Sequence, residues 1–201
     1  MKQNIMRSAF GPPILLGSAL GLVLCTPSLA LAHVVPGQGG GFLNGVAHPL
    51  VGLDHICAMI AVGLFAAQRG GKALWLVPAA FVSVMAIGGI IGMATGPLPM
   101  VDRGIAMSVL VLGVMVAAAV RLPLVASMAV VGLFALLHGH AHGAEAGAPV
   151  LLFGLGFITS TIMLHVAGIG FGLSLQRLGQ LQLVRFTGAA IALCGVFLLM
   201  V

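Results

Sequence analysis

Long unbroken runs of apolar residues make up most of this chain, and its polar residues fall in short breaks between them. Runs of about 17–25 apolar residues are long enough to cross a bilayer core as helices. Six such runs are predicted: Phe42 to Gln68, Leu74 to Thr95, Arg103 to Val120, Leu122 to His140, Ala148 to Leu175 and Leu183 to Val201. The breaks carry helix breakers or polar groups: Arg69-Gly-Gly-Lys72, Gly96-Pro-Leu-Pro99, Arg121-Leu-Pro123 and Gln176 to Gln182. No long linker, low-complexity tract or convincing internal repeat interrupts the series. The pattern predicts an all-α integral membrane protein with six transmembrane helices.

The N-terminal segment reads differently. Lys2 and Arg7 precede an apolar stretch from Ile14 to Cys25, and Ala30-Leu31-Ala32 fits the small-residue pattern of a cleavage site. The expected organisation is a cleavable signal peptide over residues 1–32 and a six-helix transmembrane domain over residues 33–201. His33 is then the first mature residue.

Composition supports this class. Of 201 residues, 61% are hydrophobic and 5% charged, with mean hydropathy +1.24. Soluble domains carry roughly 25% charged residues. The net charge of +5 does not point to nucleic acid, because the basic residues stand singly with few aromatics beside them. They act better as topology signals. Arg69, Lys72, Arg121, Arg177 and Arg185 fall in or beside alternate breaks, and Arg103 beside another. By the positive-inside rule the first set is cytoplasmic. Both mature termini then face the periplasm of a bacterial inner membrane. Cys57 and Cys194 remain after signal removal, both in apolar spans, and imply no disulfide framework. Glycines four apart, such as Gly88 and Gly92 or Gly168 and Gly172, suit close helix packing in lipid. Gly52 and Gly63 sit beside the polar stripe of the first span, where they are also candidates for opening room around an ion.

The polar chemistry is concentrated in two places. His48-Pro-Leu-Val-Gly-Leu-Asp-His-Ile-Cys-Ala-Met59 and His138-Gly-His-Ala-His-Gly-Ala-Glu145 hold five of seven histidines and two of three acidic residues. Ionisable groups inside a bilayer cost about 2.5–3.5 kcal/mol each on insertion scales, and they mark ion or substrate paths. If the first span is a regular helix, His48, His55 and Met59 share a face, with Asp54 beside His55 as an orienting carboxylate. Pro49 withholds a backbone donor just after His48. Imidazole and carboxylate together suit nickel, cobalt, zinc or copper. Met59 is a secondary candidate, and Cys57 points to the opposite face.

In the second cluster His138, His142 and Glu145 share a stripe if helix persists through Gly139 and Gly143. If those glycines break it, the cluster becomes a carboxylate-bearing loop. His140 points away from the stripe and is secondary. His165 lies deep in the fifth span, with Thr161 four residues before it, and the first cluster is its expected partner. His33, with a free amine beside its ring after cleavage, is a further secondary ligand.

These motifs resemble the HupE/UreJ family of membrane proteins, associated with nickel supply to hydrogenase and urease. The family's first-helix signature, H-P-x-x-G-x-D-H-x-x-A-M, is matched by His48, Pro49, Gly52, Asp54, His55, Ala58 and Met59. Its second, F-A-x-x-H-G-x-A-H-G-x-E, is matched by Phe134, Ala135, His138, Gly139, Ala141, His142, Gly143 and Glu145. A later L-H-x-x-G element is matched by Leu164, His165 and Gly168. The resemblance implies a secondary permease, not an enzyme, whose transported substrate is Ni2+, with Co2+ an alternative. Nothing is carried onto His140 or Cys57, which fall at variable positions.

The residues themselves predict inward movement of a divalent metal ion, with the lipid bilayer as surroundings and no nucleotide, since no GxxxxGK[ST] loop is present. His138, His142 and Glu145 are expected to collect the ion, and His48, Asp54, His55 and His165 to carry it within the membrane. Two readings from other classes compete: a membrane-embedded metal-dependent hydrolase and a haem-binding electron carrier with paired axial histidines. A metal sensor or scaffold is a weaker third, for want of an output domain. The sequence leaves a homo-oligomer open.

Overall fold

The computed structural model describes residues 41–146 and 149–201, and the expected signal peptide and His33 lie outside the described residues. The described chain is all helical: α1 Phe42–Val51, α2 Leu53–Arg69, α3 Ala73–Thr95, α4 Val101–Ala117, α5 Leu124–Glu145, α6 Val150–Arg177 and α7 Leu181–Met200. The helices α3, α5, α6 and α7 are each long and apolar enough to cross a membrane. At 17 residues α4 is at the short limit for a crossing.

The first expected span is not one helix. It breaks at Gly52, and α1 and α2 meet at an 83° bend. Pro49 has no N–H to continue the ladder, and Gly52 takes an extended ψ of 117° at the junction. A helix break is tolerated at membrane depth where protein rather than lipid surrounds it. Gly52 meets that condition, being buried.

Helix α2 is the centre of the molecule. From Ala58 to Ala67 every residue but Ile60 is buried, among them Met59, Leu64 and Phe65 with no exposed surface. The outer helices instead present large apolar side chains outward, such as Trp75, Ile90 and Leu193. This inversion of a soluble surface suits acyl chains as the outer solvent. Met59, a secondary ligand candidate by sequence, is part of the apolar core.

Glycine sets the helix spacing. A Cβ on Gly139 would run into the Met85 carbonyl of α3, and one on Gly92 into the His140 carbonyl of α5. Gly63 and Gly168 bring α2 and α6 together in the same way, so Gly63 serves helix packing. Close approach of this kind is how helices associate where lipid is as apolar as the side chains. The far end of the bundle is tied by side chains. Gln68 Nε2 donates to the Val116 carbonyl at 2.9 Å, and Arg185 Nε to the Ala117 carbonyl at 2.8 Å. The Cys57 thiol packs 3.7 Å from Cys194 Sγ, joining α2 to α7.

Candidate functional site

The bend at Gly52 creates a helix N-terminus inside the bundle. Its first-turn N–H groups lack intrahelical acceptors, and the helix dipole favours an anion there. Asp54 occupies that turn and accepts the His55 backbone N–H at 2.9 Å. The same oxygen, Oδ1, lies 2.7 Å from His55 Nδ1. A carboxylate only accepts, so with Asp54 ionised His55 carries its proton on Nδ1 and its lone pair on Nε2. Gly52 makes room for this arrangement, since a Cβ there would meet Asp54 Oδ1 at 2.7 Å and His55 Nδ1 at 2.8 Å.

His55 Nε2 points at His142 Nε2, 2.5 Å away on α5. Helix α5 does persist through Gly139 and Gly143, the first of the two alternatives open by sequence. One helix face thus carries the glycines into α3 and another carries His138 and His142 inward. His48, at the end of α1, completes the group. Its ring centroid is 4.6 Å from that of His142 and 5.8 Å from that of His55. His138 stands 5.1 Å from His55 on the other side. Four imidazoles and one carboxylate from three helices therefore share one locus. His48 and His55 meet across the bend, not along a common helical face as their spacing suggested.

The surrounding groups fix the rings. Ser108 Oγ donates to the Ile105 carbonyl at 2.6 Å and so accepts from His138 Nε2, 2.9 Å away. That leaves His138 Nδ1 with a lone pair, buried and without a protein partner. The Phe157 ring lies 4.7 Å from His142 and 5.8 Å from His48 and His55. Neither Ser108 nor Phe157 was singled out by sequence. Ser108 is a lone hydroxyl in an apolar span, which is a usable signal; Phe157 carries none.

Glu145 is exposed at the end of α5. Two expected ligands stand apart from this locus. His140 faces α3, where its Nε2 is 2.9 Å from Thr95 Oγ1. His165 is buried but does not touch the cluster, and its ring meets Phe81 at 5.1 Å. The Thr161 hydroxyl turns to Met85 Sδ rather than to His165.

The donors are suited to a borderline-soft divalent cation. Among the described residues, no three His, Cys, Asp or Glu side chains surround a common point as ligands. The spacing explains it. Nitrogens bound at 2.0–2.1 Å to one ion sit about 2.9–3.4 Å apart, so the His55 and His142 rings must separate to admit one. The cluster is accessible from two sides. Asp54 keeps 28% of its side chain exposed. His142 forms part of the wall of an otherwise apolar cavity of about 480 Å³ between α3, α5 and α6, lined also by Met85, Met93, Phe153 and Phe157.

Apolar helices packed around a buried imidazole–carboxylate cluster define a membrane protein with a polar site between its helices. The comparisons narrow this class. The model of the family described as HupE / UreJ protein matches residues 21–198. The chain is 47% identical over 179 residues to "Protein HupE" of Rhizobium leguminosarum bv. viciae, covering 88% of this chain and 93% of that one. No solved structure matches. The chain belongs to the HupE/UreJ family.

Proposed function

We propose that this protein is a secondary permease that takes up Ni2+, with Co2+ as an alternative substrate, across the bacterial inner membrane to supply hydrogenase or urease. One observation carries the reading: His48, His55, His138 and His142 converge with Asp54 between helices that face lipid outward. Burying that many ionisable groups in a bilayer is unfavourable unless they do chemistry there. The nickel preference rests on the family resemblance.

The topology we propose has a signal removed after Ala32, six spans with α1 and α2 as one broken span, and both mature termini in the periplasm. Five of the eight Lys and Arg residues support it, lying at one set of helix ends: Arg69, Lys72, Arg121, Arg177 and Arg185. The hydrogen bonds from Gln68 and Arg185 to the end of α4 group three of those ends together. The cluster then lies towards the periplasm, with Glu145 and Asp54 attracting the cation.

A hydrated divalent ion must exchange water for protein donors on entering. His55 Nε2 and His138 Nδ1 offer lone pairs whose orientation Asp54 and Ser108 already set. His142 gives up its hydrogen bond to His55 and turns a nitrogen to the ion, while Asp54 balances its charge. Imidazole binds metal only as the free base, so protons compete with the ion and supply a means of release. The hydrolase reading, in which Glu145 joins His138 and His142 at a zinc ion, gains nothing from the geometry, because the acid left to act as base is Asp54, on another helix.

The test is nickel accumulation in cells expressing His55→Ala or Asp54→Asn. Uptake at the level of cells without the protein is expected. Uptake equal to the unaltered chain at equal protein level would refute the reading.

A further inference from the structure

The rings of the site form a file. Centroids step from His48 to His142 at 4.6 Å, to His55 at 4.5 Å, and to His138 at 5.1 Å. Two further steps follow: His138 to Phe81 at 5.8 Å, and Phe81 to His165 at 5.1 Å. Every ring in the file is an imidazole except Phe81. It has no exposed surface and offers no lone pair.

Beyond it His165 is 1% exposed, and both its ring nitrogens lack a protein partner. A buried imidazole with two unmet nitrogens is costly unless a ligand uses it. The thioether of Met85 and the hydroxyl of Thr161 are close to each other, 3.9 Å apart. Thr161 is one turn before His165 on α6, and Met85 one turn after Phe81 on α3. Met85 also lines the cavity that His142 reaches, so this sulfur–oxygen pair lies on the cluster side of Phe81, and His165 is the donor past it. Among the described residues no ring contact joins His165 to the other imidazoles, and Phe81 is the ring that touches both His165 and the cluster.

We infer that His165 is a second station for a divalent transition-metal cation, and that the Phe81 ring is the gate between it and the histidine cluster. The inference rests on the transport reading. An apolar ring in the file excludes water and holds the ion at the first site until the ring swings aside. Phe81 therefore governs rate and selectivity of passage, not affinity at the first site.

The experiment uses purified full-length protein in liposomes containing a metal-sensitive dye, with nickel, cobalt and zinc each added outside. Nickel affinity is measured on the same preparations. For Phe81→Leu we expect influx raised about fivefold or zinc newly admitted, with nickel affinity within about threefold of the unaltered chain. For Phe81→Trp we expect influx lowered at least about tenfold at the same affinity. His165→Ala should likewise lower influx about tenfold and keep the first site's affinity. If Phe81→Leu does not purify as a single species, Phe81→Met, also smaller than the ring and flexible, carries its test.

Unchanged influx and selectivity in the Phe81 variants would overturn the gate. Loss of affinity in parallel with influx would reduce Phe81 to packing and overturn it equally. Unchanged influx in His165→Ala would overturn the second station. No influx by the unaltered protein would instead refute the transport reading itself.

Discussion

His55 Nδ1 lies 2.7 Å from Asp54 Oδ1, and that contact turns the opposite ring nitrogen towards His142, on a helix 87 residues further along the chain. The carboxylate is thus an orienting group as much as a charge. It selects the tautomer that leaves Nε2 free for a metal.

Asp54→Asn tests this role. The amide still fits beside the ring but no longer compels Nδ1 to hold the proton. Nickel affinity of the purified protein should fall about 10–100-fold, as when the partner of a metal-bound imidazole is lost. Calorimetric titration in detergent reads it directly, and unchanged affinity would deny Asp54 any orienting role.

Two histidines a single residue apart should behave in opposite ways. His142 belongs to the cluster, whereas His140 hydrogen-bonds Thr95 on α3. His142→Ala should bring nickel uptake to background. His140→Ala should leave uptake within about twofold and cost about 1 kcal/mol of stability for the lost hydrogen bond. Side-by-side uptake at matched protein level distinguishes them.

The sequence predicted most of this arrangement, and the reasons are physical. Hydropathy alone located the helix ends within about five residues, the break between α1 and α2 excepted, because a segment in lipid must satisfy its backbone internally. Helical spacing set His140 apart from His138 and His142. It misled at His48 and His55, where a regular helix was assumed and Pro49 with Gly52 makes a bend. Pro49 was visible as a lost donor, but the size of the bend depends on what packs around it. Residues that support the site through tertiary contact, Phe157 and Phe81 among them, have no local signature, and Ser108 showed only as a lone hydroxyl in an apolar span. For the same reason His165 was expected beside the first cluster when Phe81 stands between.

Ser108→Ala should leave the His138 Nε2–H without an acceptor in a fully buried position. An unmet buried donor destabilises by about 1–3 kcal/mol. The variant's melting temperature in detergent should drop accordingly, and Ser108→Thr, which keeps the hydroxyl, should restore part of the loss. Equal melting of the alanine variant and the unaltered chain would contradict the assigned bond.

Helix spacing gives a paired prediction. Gly139→Ala drives a methyl into the Met85 carbonyl and should destabilise by about 1–3 kcal/mol. Gly154→Ala meets nothing within 4 Å and should be neutral or stabilising, by about 0.5–1 kcal/mol from helix preference. Thermal unfolding of the two variants in the same detergent decides it; equal melting would show that α3 and α5 do not depend on this close approach.

Binding should weaken in acid. The imidazoles bind the ion only unprotonated, so lowering the pH adds competing protons and affinity must fall, while raising it restores affinity. Nickel titrations across a pH series should show that sign, with protons released as metal binds. A pH-independent affinity would exclude histidine ligation.

The most direct measurement is nickel influx into sealed liposomes containing only this protein, without nucleotide, set beside the His55→Ala variant. Saturable influx is predicted for the unaltered chain, and none above empty liposomes for the variant. Equal flux from both proteins, or no flux from either, would contradict transport through this site.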